Sequence, residues 1–437
     1  NLKLRLSYGS LGNQKTVGYY DYLQLINTGA VMNYAFGDTT KGDYAYESAP
    51  NSTDLTWETV ITKNIGLDLG FLNNRLNVSF DAYIRDTKDM LMAGKTLPGV
   101  YGASSPRMNV ADLRTKGWEA SVTWGDSFTL ASKPFNYRIM AGIGDNTSKV
   151  TKYDNPNRTL TDPYEGQQLG EIWGYVVDGY FKTDEEARNY KVDQSFVNQM
   201  INASALDNGL HAGDLKFVDL DGNNKIEQTT SANDRKDMKV IGNSLPRYNY
   251  NFGISADWYG IDFSVLFQGI GKQNWYPGAE TSMFWGPYSR PYASFIPSDF
   301  MSQVWSEENT NAYFPRPRGY VALGSNRELA VVNTKYLQNL AYCRLKNLSI
   351  GYTLPDKWLS KIGFEKIRVY FSGENLLTFT KLHSDYIDPE QASASNSWKT
   401  SKSDANIYPW AKTYSFGVDI TLSLIHISEP TRPEPIS

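Results

Sequence analysis

Residues 344–390 read RLKNLSIGYTLPDKWLSKIGFEKIRVYFSGENLLTFTKLHSDYIDPE. In the first half Leu348, Ile350, Tyr352 and Leu354 alternate with Asn347, Ser349, Gly351 and Thr353. In the second half Ile367, Val369 and Phe371 alternate with Arg368, Tyr370 and Ser372. Successive side chains of an extended backbone point to opposite faces, so each half has one apolar and one more polar face. Pro355 stops the first strand and Gly363 lets the chain turn back, which predicts an antiparallel pair.

The same period recurs along the rest of the chain. Leu2, Leu4, Leu6 and Tyr8 alternate with Lys3, Arg5, Ser7 and Gly9. Asn64 to Phe71 alternates again, and Asn73-Asn74 forms a tight turn because Asn tolerates positive φ. The return strand sets Leu76, Val78, Phe80, Ala82 and Ile84 against Asn77, Ser79, Asp81 and Tyr83. Trp118, Ala120, Val122 and Trp124 share a face of the next strand, and Tyr137, Ile139, Ala141 and Ile143 a face of the one after. A hairpin turning at Tyr259-Gly260 aligns Tyr248, Tyr250, Phe252, Ile254, Ala256 and Trp258 with Ile261, Phe263, Val265 and Phe267. The last strand, from Thr413 to about Thr421, aligns Tyr414, Phe416, Val418 and Ile420.

Short connections alternate with long ones. The short ones are Asn73-Asn74, Gly125 to Pro134, Tyr259-Gly260 and Pro355 to Lys366. Outer-membrane barrels have this asymmetry of short periplasmic turns and longer extracellular loops. A soluble β-sandwich has no reason to lengthen every second loop. The stretch GEIWGYVVDGYF, from Gly170 to Phe181, could be a strand, but counting it in the wall would break the alternation. It is therefore assigned to a loop, leaving about ten wall strands, an even number.

Composition bounds the rest. The chain has 437 residues, 14% of them aromatic, and no linker divides it. No stretch approaches the roughly 20 apolar residues of a membrane helix. A net charge of −4 gives no reason to expect nucleic acid as a partner. The single cysteine, Cys343, excludes an intrachain disulfide. The chain opens directly in a strand without a signal peptide, which for an exported protein predicts that an N-terminal part is missing.

These strands resemble SusC-like TonB-dependent outer-membrane transporters. That family carries RLKN, then GYTLP, then R-V-Y-x-S-G-x-N-L, then D-P-E, as residues 344–390 do. LRLSYGSLGN, residues 4–13, resembles the family's R-x-S-Y-G-x-x-G-N strand. The run WSEENTNAYFPR, from Trp305 to Arg316, resembles its W-x-x-E-N-P-N-A-x-x-P-R element, with Thr310 in place of proline. The resemblance implies an all-β, antiparallel transmembrane barrel of about 22 strands around an N-terminal plug. Residues 1–421 would be the C-terminal portion of its wall with long extracellular loops. It further implies lipid contact in the outer membrane and a SusD-like surface lipoprotein over the loops. TonB would act through the missing N-terminal part to drive import of oligosaccharides or peptides. The rival expectation is a secreted soluble β-rich protein that binds or cleaves glycans, which would need polar outward faces.

Residues 422–437 stand apart. LSLIHISEPTR, from Leu422 to Arg432, resembles the translation of a transposase adapter used in DNA library preparation. This tail is expected to be non-native and is excluded from function.

The sharpest local motif is Asp219-Leu220-Asp221-Gly222-Asn223-Asn224-Lys225-Ile226. Oxygen ligands at alternate positions of a tight loop, followed by an apolar residue, suit a hard cation such as calcium. Asp219, Asp221 and Asn223 are the candidate ligands, closed by Asp234 or by the nearer Glu227. The motif resembles a D-x-N-G-D-G-x-I segment of the same family, with Asn224 at the turn glycine, a residue that also adopts the αL conformation. The alternative is an Asx-rich turn held by its own hydrogen bonds. The loop aromatics Trp275, Tyr276, Phe284, Trp285 and Tyr288 are candidates for stacking on sugar rings or a partner, against packing on one another. Glu185-Glu186 and Glu307-Glu308 lack an opposed carboxylate, and His211, His383 and His426 are isolated, so no covalent catalysis is expected.

Overall fold

The computed structural model describes residues 1–14, 22–29, 44–48, 50–52, 55–94, 97–102, 105–198, 209–289, 295–318, 322–324, 326–359, 364–392, 402–403 and 408–422. Its frame is one ten-stranded antiparallel sheet. The wall strands are β1 (Leu2–Asn13), β2 (Glu58–Phe71), β3 (Leu76–Ala93), β4 (Arg107–Leu130) and β5 (Lys133–Lys152). They continue as β6 (Arg247–Trp258), β7 (Ile261–Lys272), β8 (Tyr342–Thr353), β9 (Phe364–Thr380) and β10 (Thr413–Leu422). Sheet order equals chain order, so every connection is a hairpin. Among the described residues, the outer edges of β1 and β10 pair with no other wall strand.

Register shows why the sequence alternates. Leu2, Leu69, Val78, Val122, Ala141, Phe252 and Phe267 are successive cross-strand partners, forming an apolar rung over seven strands. One residue along, Lys3, Asp68, Ser79, Ser121, Gly142, Asn251 and Gln268 form a polar rung on the opposite face. The apolar face is not buried by the chain itself: Phe416 is 84% exposed and Phe80 40%. On β4 the apolar run Trp118 to Trp124 is bounded by Lys116 and Asp126. The ten residue steps from Lys116 to Asp126 span roughly 33 Å at ~3.3 Å per step, or about 25 Å along the axis of a barrel tilted by ~40°. That is the height of a lipid-facing band. Phe71, Trp124, Phe135, Tyr137 and Trp258 lie at its short-turn end as an aromatic girdle, in which Trp124 Nε1 donates to the Tyr137 hydroxyl at 2.9 Å.

The opposite face is held by cross-strand ions. Arg5 forks onto Asp68 and reaches Asp81 at 2.7 Å. Arg368 reaches Asp262 at 2.6 Å and Asp419 at 3.2 Å. Two glycines make room on this face. Any side chain at Gly117 would collide with the ring of Tyr83, and one at Gly417 with the ring of Tyr370.

Several sequence expectations meet the structure directly. Gly170 to Phe181 lies outside the wall: Glu171–Tyr175 pairs with Met238–Asn243, and Val177–Tyr180 with Leu215–Phe217. Tyr259-Gly260 is a two-residue turn with φ of 48° and 83° at its centre. The connection expected from Gly125 to Pro134 contracts to Ala131-Ser132, both with positive φ, because β4 and β5 run on to meet there. The long connections after Ile84 and Ile143 are also partly strand, since β3, β4 and β5 continue past the apolar band. Above the lipid both faces meet water, so the apolar period fades while the backbone ladder continues. Gly363 and residues 423–437 of the tail lie outside the described residues, and Leu422 closes β10.

Candidate functional site

At the long-loop end the connections pack into one core of their own. Trp275, Tyr276, Trp285 and Tyr336 are fully buried there with Leu215, Phe217 and Ile226. Phe284 lies edge-on to Trp285 at 4.8 Å, and Phe300 stacks on Phe314 at 4.7 Å. Of the five loop aromatics considered for sugar stacking, Tyr288 is 1% exposed, Phe284 2%, and the other three 0%. They are therefore core, and no sugar ring reaches them in this conformation. The Trp305 to Arg316 element folds back on itself, Trp305 N donating to Phe314 O at 3.0 Å, and serves the same core.

The wall and the cap are joined through Arg344 and Lys346 of β8 and Asp388 and Glu390 of the loop after β9. Arg344 faces the polar side, across from Gln268 of β7. Its guanidinium donates to Asp388 at 2.7 Å, Glu390 at 2.6 Å and the Thr378 hydroxyl at 3.0 Å. Lys346 also donates to Glu390 at 2.7 Å. A register shift between Leu345 and Asn347 bulges Lys346 out of the ladder beside it. Asp388 further accepts the N–H groups of Glu390 and Trp410. The R-L-K and D-P-E segments are thus two halves of one ion cage that ties the loop inward over the polar face.

Asp219 and Asp221 come together with Asp237, their carboxylate oxygens lying within 4.8 Å of one another. Asp219 accepts the N–H groups of Gly222 and Asn224, each at 2.7 Å. Asn224 has φ of 61°, the αL conformation expected where the pattern has glycine. Ile226 is fully buried and fixes the loop to the core. Asn223 donates to Asp221 and to Glu227, each at 3.2 Å, while Glu227 is drawn to Lys236 at 3.3 Å. Asp234 does not join the group; it sits in a turn with Ser231. The carboxylate that comes beside Asp219 and Asp221 is instead that of Asp237, just before the segment paired with Glu171–Tyr175, and it accepts from Leu220 N and Glu227 N. Burial and, less strongly, the nearby Asp221 and Asp219 raise the Asp237 carboxyl above its ordinary range, against those two N–H bonds. Three hard oxygen donors this close, one of them destabilised as an anion, fit a divalent cation.

A lipid-facing band on one side of a meander, a charged face on the other and an inward-tied loop cap define the wall of an outer-membrane β-barrel. A family model described as "TonB dependent receptor-like, beta-barrel" matches residues 1–376, and the chain belongs to that family. It is an outer-membrane protein. TonB-dependent receptor P3 of Formosa agariphila is 28% identical over 437 residues, covering 96% of this chain and 39% of the receptor. SusC of Bacteroides thetaiotaomicron is 25% identical over 425 residues, covering 96% of this chain and 37% of that protein. The chain therefore spans less than half the length of these relatives. In three dimensions it is similar to a chain of the RagAB peptide importer in its open-open state, with a TM-score of 0.69 and 22% identity. That match covers 97% of this chain and 40% of the other, and shares the fold. The outer-membrane location removes the soluble alternative.

Proposed function

We propose that the chain forms the C-terminal wall and extracellular loops of a SusC-like transporter, part of a barrel of about 22 strands. In that reading it imports oligosaccharides or peptides together with a SusD-like lipoprotein seated over the loops. TonB acts through a plug contributed by sequence upstream. The observation that carries the reading is the two-faced wall: an apolar rung for lipid and, one residue away, a polar rung for a water-filled or plugged lumen. Ser79, Asp81, Glu119, Ser121, Asn249 and Asn251 line a concavity of about 410 Å³ on that inner side. Co-purification from native membranes tests the partner, and uptake of labelled oligosaccharides and peptides by cells with and without the gene tests the transport. Loss of the gene that leaves uptake of every tested nutrient class unchanged, with no lipoprotein retained on the barrel, would overturn the reading.

We also infer that Asp219, Asp221 and Asp237, with Asn223 beside them, hold a calcium ion that braces the loop between β5 and β6. When bound, the ion offsets the mutual repulsion of three carboxylates. Chelator treatment of the full-length transporter is expected to raise protease sensitivity between Arg188 and Arg247 while the wall strands stay assembled. Asp219→Ala with Asp221→Ala should do the same without chelator. If chelation leaves the digestion pattern unchanged, the loop is held by hydrogen bonds alone.

A further inference from the structure

A second cleft opens at the loop end, above the tip of β5. Arg158, Tyr164, Glu171, Trp173, Arg235 and Lys239 line a cavity of about 420 Å³. It is anchored to the wall, because Gly166 N donates to Val150 O at 2.9 Å and Val150 N to Gln167 O at 2.9 Å. Three cations and one carboxylate give the lining a formal charge of +2. The carboxylate is already engaged: Glu171 accepts from the Tyr164 hydroxyl and from Trp173 Nε1, the latter at 3.1 Å. The cations are not engaged in this way. Among the described residues, none of Arg158, Arg235 and Lys239 has a carboxylate within ion-pair distance. Arg158 is held over the Tyr164 ring at 5.7 Å and donates to Glu165 O at 2.8 Å. Elsewhere on the wall Arg5, Arg114 and Arg368 are each answered by an aspartate.

We propose that this cleft is a binding subsite for an anionic sugar, a carboxylated or sulfated unit of a glycan chain. Unanswered guanidinium groups offer paired donors that match the planar oxygens of a carboxylate or sulfate. Trp173, which is only partly buried, supplies the apolar wall that a sugar ring packs on, while the buried Tyr164 holds Arg158 in place, and the volume is that of a small-ligand site. The inference takes its biological sense from the import reading, but binding is measured without transport, so the two fail separately.

The test uses purified full-length transporter in detergent, titrated with trigalacturonic acid, a sulfated trisaccharide and maltotriose as the neutral control. One of the charged probes is expected to bind at least about tenfold more tightly than maltotriose at ~0.1 M salt, with the difference shrinking as salt is raised. Arg158→Gln, Arg235→Gln and Lys239→Gln together should abolish that preference and leave the wall assembled, since all three side chains are exposed and lie outside the wall strands. Glu171→Gln, which keeps the acceptor for Tyr164 and Trp173 but removes a negative charge, should tighten binding of the charged probe. Equal affinity for charged and neutral probes, or a triple variant that keeps the preference, overturns the proposal. So does binding of inorganic phosphate or lipopolysaccharide that depends on these three residues while neither charged trisaccharide binds, because the cleft would then serve a lipid headgroup.

Discussion

Arg344→Ala is expected to cost the assembled barrel about 3–5 kcal/mol, the loss that follows when one partner of a buried ion pair is removed. Arg344 is 2% exposed, and its three donors face Asp388, Glu390 and Thr378. Without it Asp388, 8% exposed, keeps only backbone donors, while Glu390 keeps Lys346. Arg344→Lys should recover only part of the loss, because one ammonium cannot reproduce the fork. Arg344→Met combined with Asp388→Asn should lie nearer the parent than Arg344→Ala, since no unpaired charge is left buried at Asp388. Heat or denaturant unfolding of the full-length protein in detergent measures each. A loss below about 1 kcal/mol for Arg344→Ala would place the cage in water, where ion pairs contribute little.

The second expected result concerns the lipid face. Phe252→Arg should destabilise the barrel by about 2–4 kcal/mol, because the side chain points outward near mid-height. It also loses its stacking on Phe267, where the ring centroids are 4.6 Å apart. Val78→Arg should cost less, since Val78 lies close to the short turn, where a long side chain can reach the interface. Asn77→Arg, on the opposite face, should be tolerated, because Asn77 is exposed on the inner side and, among the described residues, its side chain bonds only to its own turn through Asn74 O. Equal damage at residues 77 and 252 would mean that the facing assignment is wrong, and greater damage at 77 that the two faces are reversed.

The wall was legible because each of its determinants is local. Leu76 to Ile84 alternates in sequence since a strand exposes alternate side chains to lipid and lumen, and no distant residue can change that parity. The same logic kept Gly170 to Phe181 out of the wall, as a consequence of counting turns. The extent of β3, β4 and β5 was not legible, because above the lipid the strand persists through backbone pairing alone. Nor could the sequence say whether Trp275 and Trp285 were exposed to ligand or packed on one another. Aromatic residues in a loop look alike in either case, and only the closure of several loops over one core decides it.

The candidate sites divide along the same line. Asp219, Asp221 and the αL turn at Asn224 are set by neighbours in sequence, so the loop could be read before the fold was known. The third carboxylate beside them could not. The pairing of Met238–Asn243 with Glu171–Tyr175 carries Asp237 under the loop and leaves Asp234 in a turn, a choice fixed by strands far away in sequence. The R-L-K and D-P-E segments were visible as a pattern of letters. Their reason is tertiary: charges 44 residues apart, Arg344 and Asp388, neutralise one another only after the hairpin and the loop have folded onto the same side of the wall.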